Sequence, residues 1–228
     1  MVESGASRET VERLVRKAAR ALARAGLVNA YGHCSGRIDA RSFVVCAARP
    51  MGLIAPGEAG TVVPVEGPLP EGVLGEVRIH QSIYRRRPEV GGIVRCLPPK
   101  VLSLSTLRRT PKARHGFGSY FAPQAPLWDD PQLIRTEAQA EGVAAALGES
   151  RAVVMRGNGA VTAGATLEEA VVFAWYLEDA ARVELDVLAA GLPGDEALLS
   201  QDEARQRAVS AGRIYERMWE YLTHGDPE

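Results

Sequence analysis

Helical and extended patterns alternate along this chain, and that alternation narrows its possible folds more than any other feature. The first helix is the plainest. Ser7 caps it, Glu9 sits in its first turn, and Val11, Leu14, Val15, Ala18, Leu22 and Ala25 recur at helical spacing before Gly26 ends it. The strongest later helix spans 167–190, with Thr166 as cap and Glu168 and Glu169 in its first turn. Further helices are expected at 75–86 (stopping before Pro88), 101–107, 131–147 (with Gly148 beyond) and 201–221, whose end reads as a tail. Short apolar runs at 42–46, 61–65, 92–97 and 152–155 read as strands. Residues 31–37 read as a glycine-containing turn. The stretch 109–128 reads as a long irregular loop, which in a compact domain is usually functional. Helices alternate with strands, but some strands follow one another directly. The class is therefore α/β, with a mixed sheet flanked by helices.

Bulk properties exclude several roles. The chain has 228 residues and is expected to form one domain, 1–228; its 46% hydrophobic content suffices for a buried core. A formal net charge of -1 gives no electrostatic reason to expect nucleic acid or an anionic membrane as partner. The run Arg85-Arg86-Arg87 is too short to change this and reads as a solvated helix end. No stretch approaches the ~20 apolar residues of a membrane span. Cys34, Cys46 and Cys96 form no CxxC pair, and their odd number argues against a disulfide framework. Buried, inert thiols in a reducing, cytoplasmic compartment are the expectation.

Three separated segments together resemble the class II aldolase and adducin N-terminal domain family. The first is Gly32-His33-Cys34-Ser35-Gly36-Arg37, similar to that family's substrate-anion loop, so the resemblance makes His33 and Ser35 substrate-binding candidates. The second is Gly75-Glu76-Val77-Arg78-Ile79-His80, with Tyr84 and Arg87-Pro88 after it. The third is Val153-Val154-Met155-Arg156-Gly157-Asn158-Gly159, followed by Leu167-Glu168-Glu169-Ala170. The resemblance implies an α/β/α layered fold with a central mixed, mainly antiparallel sheet. It also implies a homotetramer with active sites at subunit interfaces and a small-molecule substrate. In the family a divalent metal, held by a His-x-His pair and a third His, polarises a carbonyl while a Glu moves the proton. The same scaffold serves aldolases, an epimerase, a decarboxylase and non-catalytic adducins, so it does not name a reaction.

The implied metal set fails residue by residue. The His-x-His positions fall on Arg95 and Leu97, and the third His on Asn158. Arg keeps its proton and Leu has no donor atom, so neither ligates a transition metal. No metal and no other cofactor is expected, although Glu76, His80 and His115 are a conceivable rescue set. Glu76 is retained. Arg95 would place a fixed cation where the metal charge would sit, able to hold a carboxylate or enolate oxygen. The competing reading is that Arg95 merely pairs with Glu76 in a dead pocket. The catalytic candidates are thus Glu76, Arg95 and Asn158. Asn158 would donate to a substrate oxygen, or is simply a turn residue between Gly157 and Gly159. Substrate-contact candidates are His33, Ser35, Arg49, Leu97, His115 and Tyr120, the last two from the 109–128 stretch. Leu74 and Gly75 replace the serines that precede the Glu in the family's sugar-phosphate aldolases, which removes a wall of the phosphate cradle. Arg49 suits a carboxylate or phenolate instead.

The expected function is a metal-independent lyase acting on a small carboxylated or dicarbonyl substrate through an enolate-like intermediate. Aldol-type cleavage or formation, decarboxylation and cyclisation all fit. The alternatives are a non-catalytic, adducin-like binding or assembly module, and an isomerase working by proton transfer.

Overall fold

The computed structural model describes residues 7–191 and 197–228. The strands are β1 (His33–Arg37), β2 (Ser42–Val45), β3 (Thr61–Pro64), β4 (Gly92–Cys96), β5 (Leu127–Trp128), β6 (Ala152–Met155) and β7 (Ala160–Gly164). The helices are α1 (Arg8–Arg24), α2 (Arg78–Arg86), α3 (Pro99–Thr106), α4 (Glu137–Leu147), α5 (Leu167–Ala189), α6 (Gln201–Arg207) and α7 (Ile214–Thr223). The strands form one sheet in the order β3-β2-β1-β4-β7-β6-β5, antiparallel except for the β5–β6 pair. The expected mixed, mainly antiparallel sheet is present.

Strand residues alternate between the two faces of the sheet and build two separate cores. On one face Cys34, Val44, Val94, Val154 and Ala160 pack with residues of α1, α3, α5 and α7. On the other, Phe43, Val63, Ile93, Val153 and Val161 pack with residues of α2 and α4. The result is the expected α/β/α layering. The chemistry lies on the α2/α4 face, because His33, Ser35 and Arg95 share the parity of Ile93 rather than that of Val94.

Several local expectations change. Residues 33–37 are not a turn but strand β1, an inner strand between β2 and β4. Gly36 is there for close approach: a Cβ on it would lie 2.9 Å from Val11 Cγ1 of α1. A strand at 160–164 is not signalled by the sequence, since only Val161 and Thr162 of its five residues are β-branched and the rest are alanine and glycine; yet β7 lies between β4 and β6, all five residues buried. The helix expected from 131 begins only after Thr136, which forms a capping box with Gln139. The helix expected at 201–221 is two, α6 and α7, with Arg213 in a left-handed conformation at the break. The chain end is no loose tail. Arg16 and Arg20 of α1 grip Glu228 and Asp226, with Arg20 Nη2 donating to Asp226 Oδ1 at 2.6 Å and Glu228 Oε2 at 2.8 Å.

Candidate active site

A cleft of about 870 Å³ opens at one end of β1 and β4. Glu76, Arg95, Leu97, Asn158, His33 and Arg49 all line it, so the structure gathers six of the nine sequence-predicted residues. Each reaches the cleft for a local reason. Glu76 lies in the 3-10 turn Gly75–Val77 that feeds α2. Arg95 is the penultimate residue of β4 and sits directly opposite His33 of β1 in the ladder. Asn158 tops the β6–β7 turn, between Gly157 (φ +65°) and Gly159 (φ +79°). A Cβ on Gly159 would lie 2.1 Å from the Cys96 carbonyl oxygen, so only glycine lets this turn close over β4.

Arg95 is the centre of the arrangement and is 3% exposed. Its Nη2 donates to Asn158 Oδ1 at 2.7 Å. Arginine has no acceptor, so this bond fixes the amide: the carbonyl faces Arg95 and Nδ2 remains the donor. The Glu76 Oε2 oxygen lies 3.1 Å from Arg95 Nε, near enough for attraction but not aligned as a hydrogen bond. Arg95 Nε, Arg95 Nη1, Asn158 Nδ2, Glu76 Oε1 and His33 Nε2 are buried and make no hydrogen bond among the described residues, Nε meeting only Glu76 Oε2 as an ion pair. Buried polar groups are normally paired, because an unmet one costs about 1–3 kcal/mol. Five such atoms around one cleft mark a place prepared for a ligand.

Behind His33 runs a buried chain of polar groups. His33 Nδ1 lies 2.9 Å from His80 Nε2, His80 Nδ1 lies 2.6 Å from Ser35 Oγ, and Ser35 Oγ lies 3.0 Å from the Tyr84 hydroxyl. Burial and the neighbouring Arg95 cation push His80 down to about 3. Burial, His80 and Arg95 also hold His33 well below the ordinary histidine range. Tyr84 was legible only as a motif neighbour of Glu76, and His80 as that and as a conceivable metal ligand; their buried partnership with β1 depends on the strand that the sequence presented as a turn.

Three predicted contacts are corrected. Ser35 is fully buried behind His80 and does not reach the cleft. His115 lies away from it, with Nε2 2.8 Å from Asp179 Oδ2. Tyr120 belongs to an aromatic cluster with Phe173, Tyr176 and Tyr215, and its hydroxyl donates to the Val209 carbonyl. Arg49 does line the cleft, but its Nη1 is 3.3 Å from Glu58. Leu97, Leu133, Ile134 and Pro50 add apolar wall.

The donor set does not fit a transition metal. Arg95 and Leu97 offer no lone pair at two of the positions where the family's ligands belong. The rescue set does not assemble, since His80 is engaged by His33 and Ser35 while His115 pairs with Asp179. Among the described residues no three His, Cys, Asp or Glu side chains form a group that could hold a metal ion.

The chain belongs to the Class II Aldolase and Adducin N-terminal domain family, whose profile matches residues 13–185. Within that class it is 30% identical over 199 residues to a 3,4-dihydroxyphthalate decarboxylase of Terrabacter sp., covering 78% of this chain and 81% of the relative. A protein of the same description from Arthrobacter keyseri is 29% identical over 195 residues, 76% of this chain and 77% of that one. Among solved structures, an L-fuculose-1-phosphate aldolase from Thermus thermophilus superposes with a TM-score of 0.73 at 27% identity, covering 82% of this chain and 98% of that one. The L-fuculose 1-phosphate aldolase from Glaciozyma antarctica gives a TM-score of 0.75 at 22% identity, over 94% and 90% of the two chains, which speaks to the fold.

Proposed function

We propose that this chain is a lyase of the class II aldolase family that works without a metal, removing a carboxylate from a small acid through an enolate-like or phenolate-like intermediate. The observation that carries the reading is the buried Arg95, whose Nη1 has no partner among the described residues and whose Nε meets only the Glu76 carboxylate, with Asn158 Nδ2 beside it. When the C–C bond to the carboxylate breaks, CO2 departs and its bonding pair flows onto an oxygen of the remaining fragment. Arg95 and Asn158 meet that charge with preorganised donors. Glu76, 22% exposed and so in touch with solvent, carries the proton to the carbon. The decarboxylase relatives favour this reaction over aldol cleavage, and an aromatic acid such as 3,4-dihydroxyphthalate is the first substrate to try. The apolar wall at Leu97, Leu133 and Ile134 suits a ring better than a sugar phosphate.

The whole chain, 1–228, acts in this proposal as one domain. The working form is a homo-oligomer, a tetramer in the family pattern with cleft mouths at subunit interfaces. Exposed Tyr31, Leu74 and Leu133 at the mouth support that arrangement. Three buried free cysteines suit a cytoplasmic site of action. Protein purified without chelator and assayed for CO2 release from 3,4-dihydroxyphthalate, oxaloacetate and 2-oxo acids tests the reaction. Turnover unchanged by EDTA is expected. Stoichiometric zinc, manganese or iron whose removal abolishes turnover would overturn the metal-free mechanism. Absence of turnover across the panel, with Glu76→Gln and Arg95→Met behaving as wild type in every assay, would favour a binding module.

A further inference from the structure

We propose that His33 is a permanently neutral hydrogen-bond acceptor aimed into the cleft, and that with Arg95 beside it the site selects ligands carrying a hydroxyl next to an anionic oxygen. This deepens the lyase reading by naming the substrate class for the same site. It also departs from the expectation that the loop around His33 binds an anion.

The hydrogen-bond chain behind His33 fixes its tautomer. The Tyr84 hydroxyl has one proton and donates it to the Ser35 carbonyl oxygen at 3.1 Å. The contact between Ser35 Oγ and the Tyr84 oxygen must then use the serine's proton. Ser35 Oγ is left to accept from His80 Nδ1–H. His80 Nε2 therefore carries no proton and accepts from His33 Nδ1–H. What remains at the front is His33 Nε2, a bare lone pair with no hydrogen-bond partner among the described residues, on a residue 2% exposed that lines the cleft. Burial and the adjacent Arg95 charge disfavour a second proton on this ring. The lone pair repels an anionic oxygen and accepts an O–H.

Its neighbour has the opposite character. Arg95 faces His33 across the β1–β4 ladder on the same side of the sheet. Such cross-strand neighbours stand about 5 Å apart at Cβ. One supplies an acceptor, while Arg95 and Asn158 supply charged and neutral donors. The complement is a protonated oxygen and a negatively charged oxygen on neighbouring atoms, as in a 2-hydroxy acid, an enol acid or a catechol monoanion. A ligand lacking the hydroxyl hydrogen leaves the His33 lone pair unmet, and buried unmet groups discriminate strongly.

The full-length protein tests this in two ways. Long-range 15N–1H spectra of the four histidine side chains report protonation at each ring nitrogen. His33 is expected to show a bare Nε2 and a protonated Nδ1 from pH 5 to 8. A protonated Nε2 overturns the proposal without any variant. In the second arm, calorimetric titration compares racemic mandelate with racemic O-methylmandelate. Mandelate is expected to bind roughly tenfold tighter, the worth of one hydrogen bond to a buried acceptor. That preference should vanish in His33→Phe. It should shrink severalfold in Ser35→Ala, which lies outside the cleft but releases His80 to either tautomer. Mandelate binding no tighter than its ether, whether both bind or neither does, overturns the proposal, as does a preference that survives in His33→Phe. Failure of the lyase reading has a different signature: no turnover of any acid, with the mandelate preference intact.

Discussion

Replacing Arg95 with methionine separates a residue that holds the fold together from one kept for its charge. In the folded chain the guanidinium is nearly inaccessible, and neither Nε nor Nη1 makes a hydrogen bond among the described residues, Nε having only its ion pair with Glu76. Each unmet N–H costs about 1 kcal/mol or more, and methionine fills a similar volume without those donors. Against this gain stands the Nη2 bond to Asn158 Oδ1, worth about 1.5–3 kcal/mol as a charge-assisted bond. Loss of the Glu76 contact costs little, since that carboxylate reaches water. The two sides nearly cancel, so Arg95→Met should change folding stability by no more than about 1.5 kcal/mol, a midpoint shift within about 5 °C for a chain of this size. Mandelate affinity should fall about 100-fold, as expected for truncating a desolvated charge that meets an anion. Thermal unfolding by circular dichroism and calorimetric titration on the same preparation give both numbers. A stability loss above about 3 kcal/mol with affinity preserved would refute the reasoning and make Arg95 a structural residue.

Glu76→Gln should lower turnover by about 100-fold or more while leaving mandelate affinity within a few-fold, because the proton carrier is lost and the anion contacts are kept. The unfolded chain protonates His80 near 6.5 and the folded chain only near 3, so protons favour unfolding throughout that window. Urea titrations should accordingly show about 2 kcal/mol less stability at pH 5 than at pH 7 from this group, and His80→Gln should remove that share while the part due to buried His33 remains. At lower pH the clamp on the chain end fails next: the α1 arginines hold Asp226 and Glu228 down to about 2, so their contribution is complete above the ordinary carboxylate range and disappears as pH falls through it toward 2. Asp226→Asn should remove somewhat less than half of that second acid transition, the larger displacement belonging to Glu228. Gly159→Ala should cost roughly 3 kcal/mol, because its Cβ meets the Cys96 carbonyl at a positive φ; an alanine variant as stable as wild type would mean the turn relaxes freely.

What the sequence disclosed followed from how strongly each element signals itself. The helices α1 and α5 carry caps and long apolar periodicity, and both were legible to within a residue or two. The strands β1 and β7 were not, because they are short and rich in small residues, including Gly36 and Gly164, where α1 and α5 cross too closely for a side chain. The site divides the same way. Glu76, Arg95 and Asn158 were found as matches to a motif, and the fold brings them together. The roles of His80, Ser35 and Tyr84 were hidden, since they arise from pairing between α2 and a strand that presented itself as a turn. Tyr120 looked available in an irregular stretch, yet its aromatic partners come from α5 and α7.

The interleaving of core and cleft along single strands sets the routes by which this site can diverge. Cys34 lies in one core while its neighbours His33 and Ser35 face the other way, and Arg95 stands between Val94 and Cys96. Any one of the polar side chains can be exchanged with its strand still anchored by the apolar residues on either side. A single-residue insertion in β1 or β4 is a different event: it would turn thiols and valines toward the ligand and drive an arginine or a histidine into the packing beneath α1 and α5. Chemical novelty on this scaffold is therefore expected to arise by substitution at fixed strand length, the kind of change that exchanges metal-binding histidines for an arginine, a leucine and an asparagine.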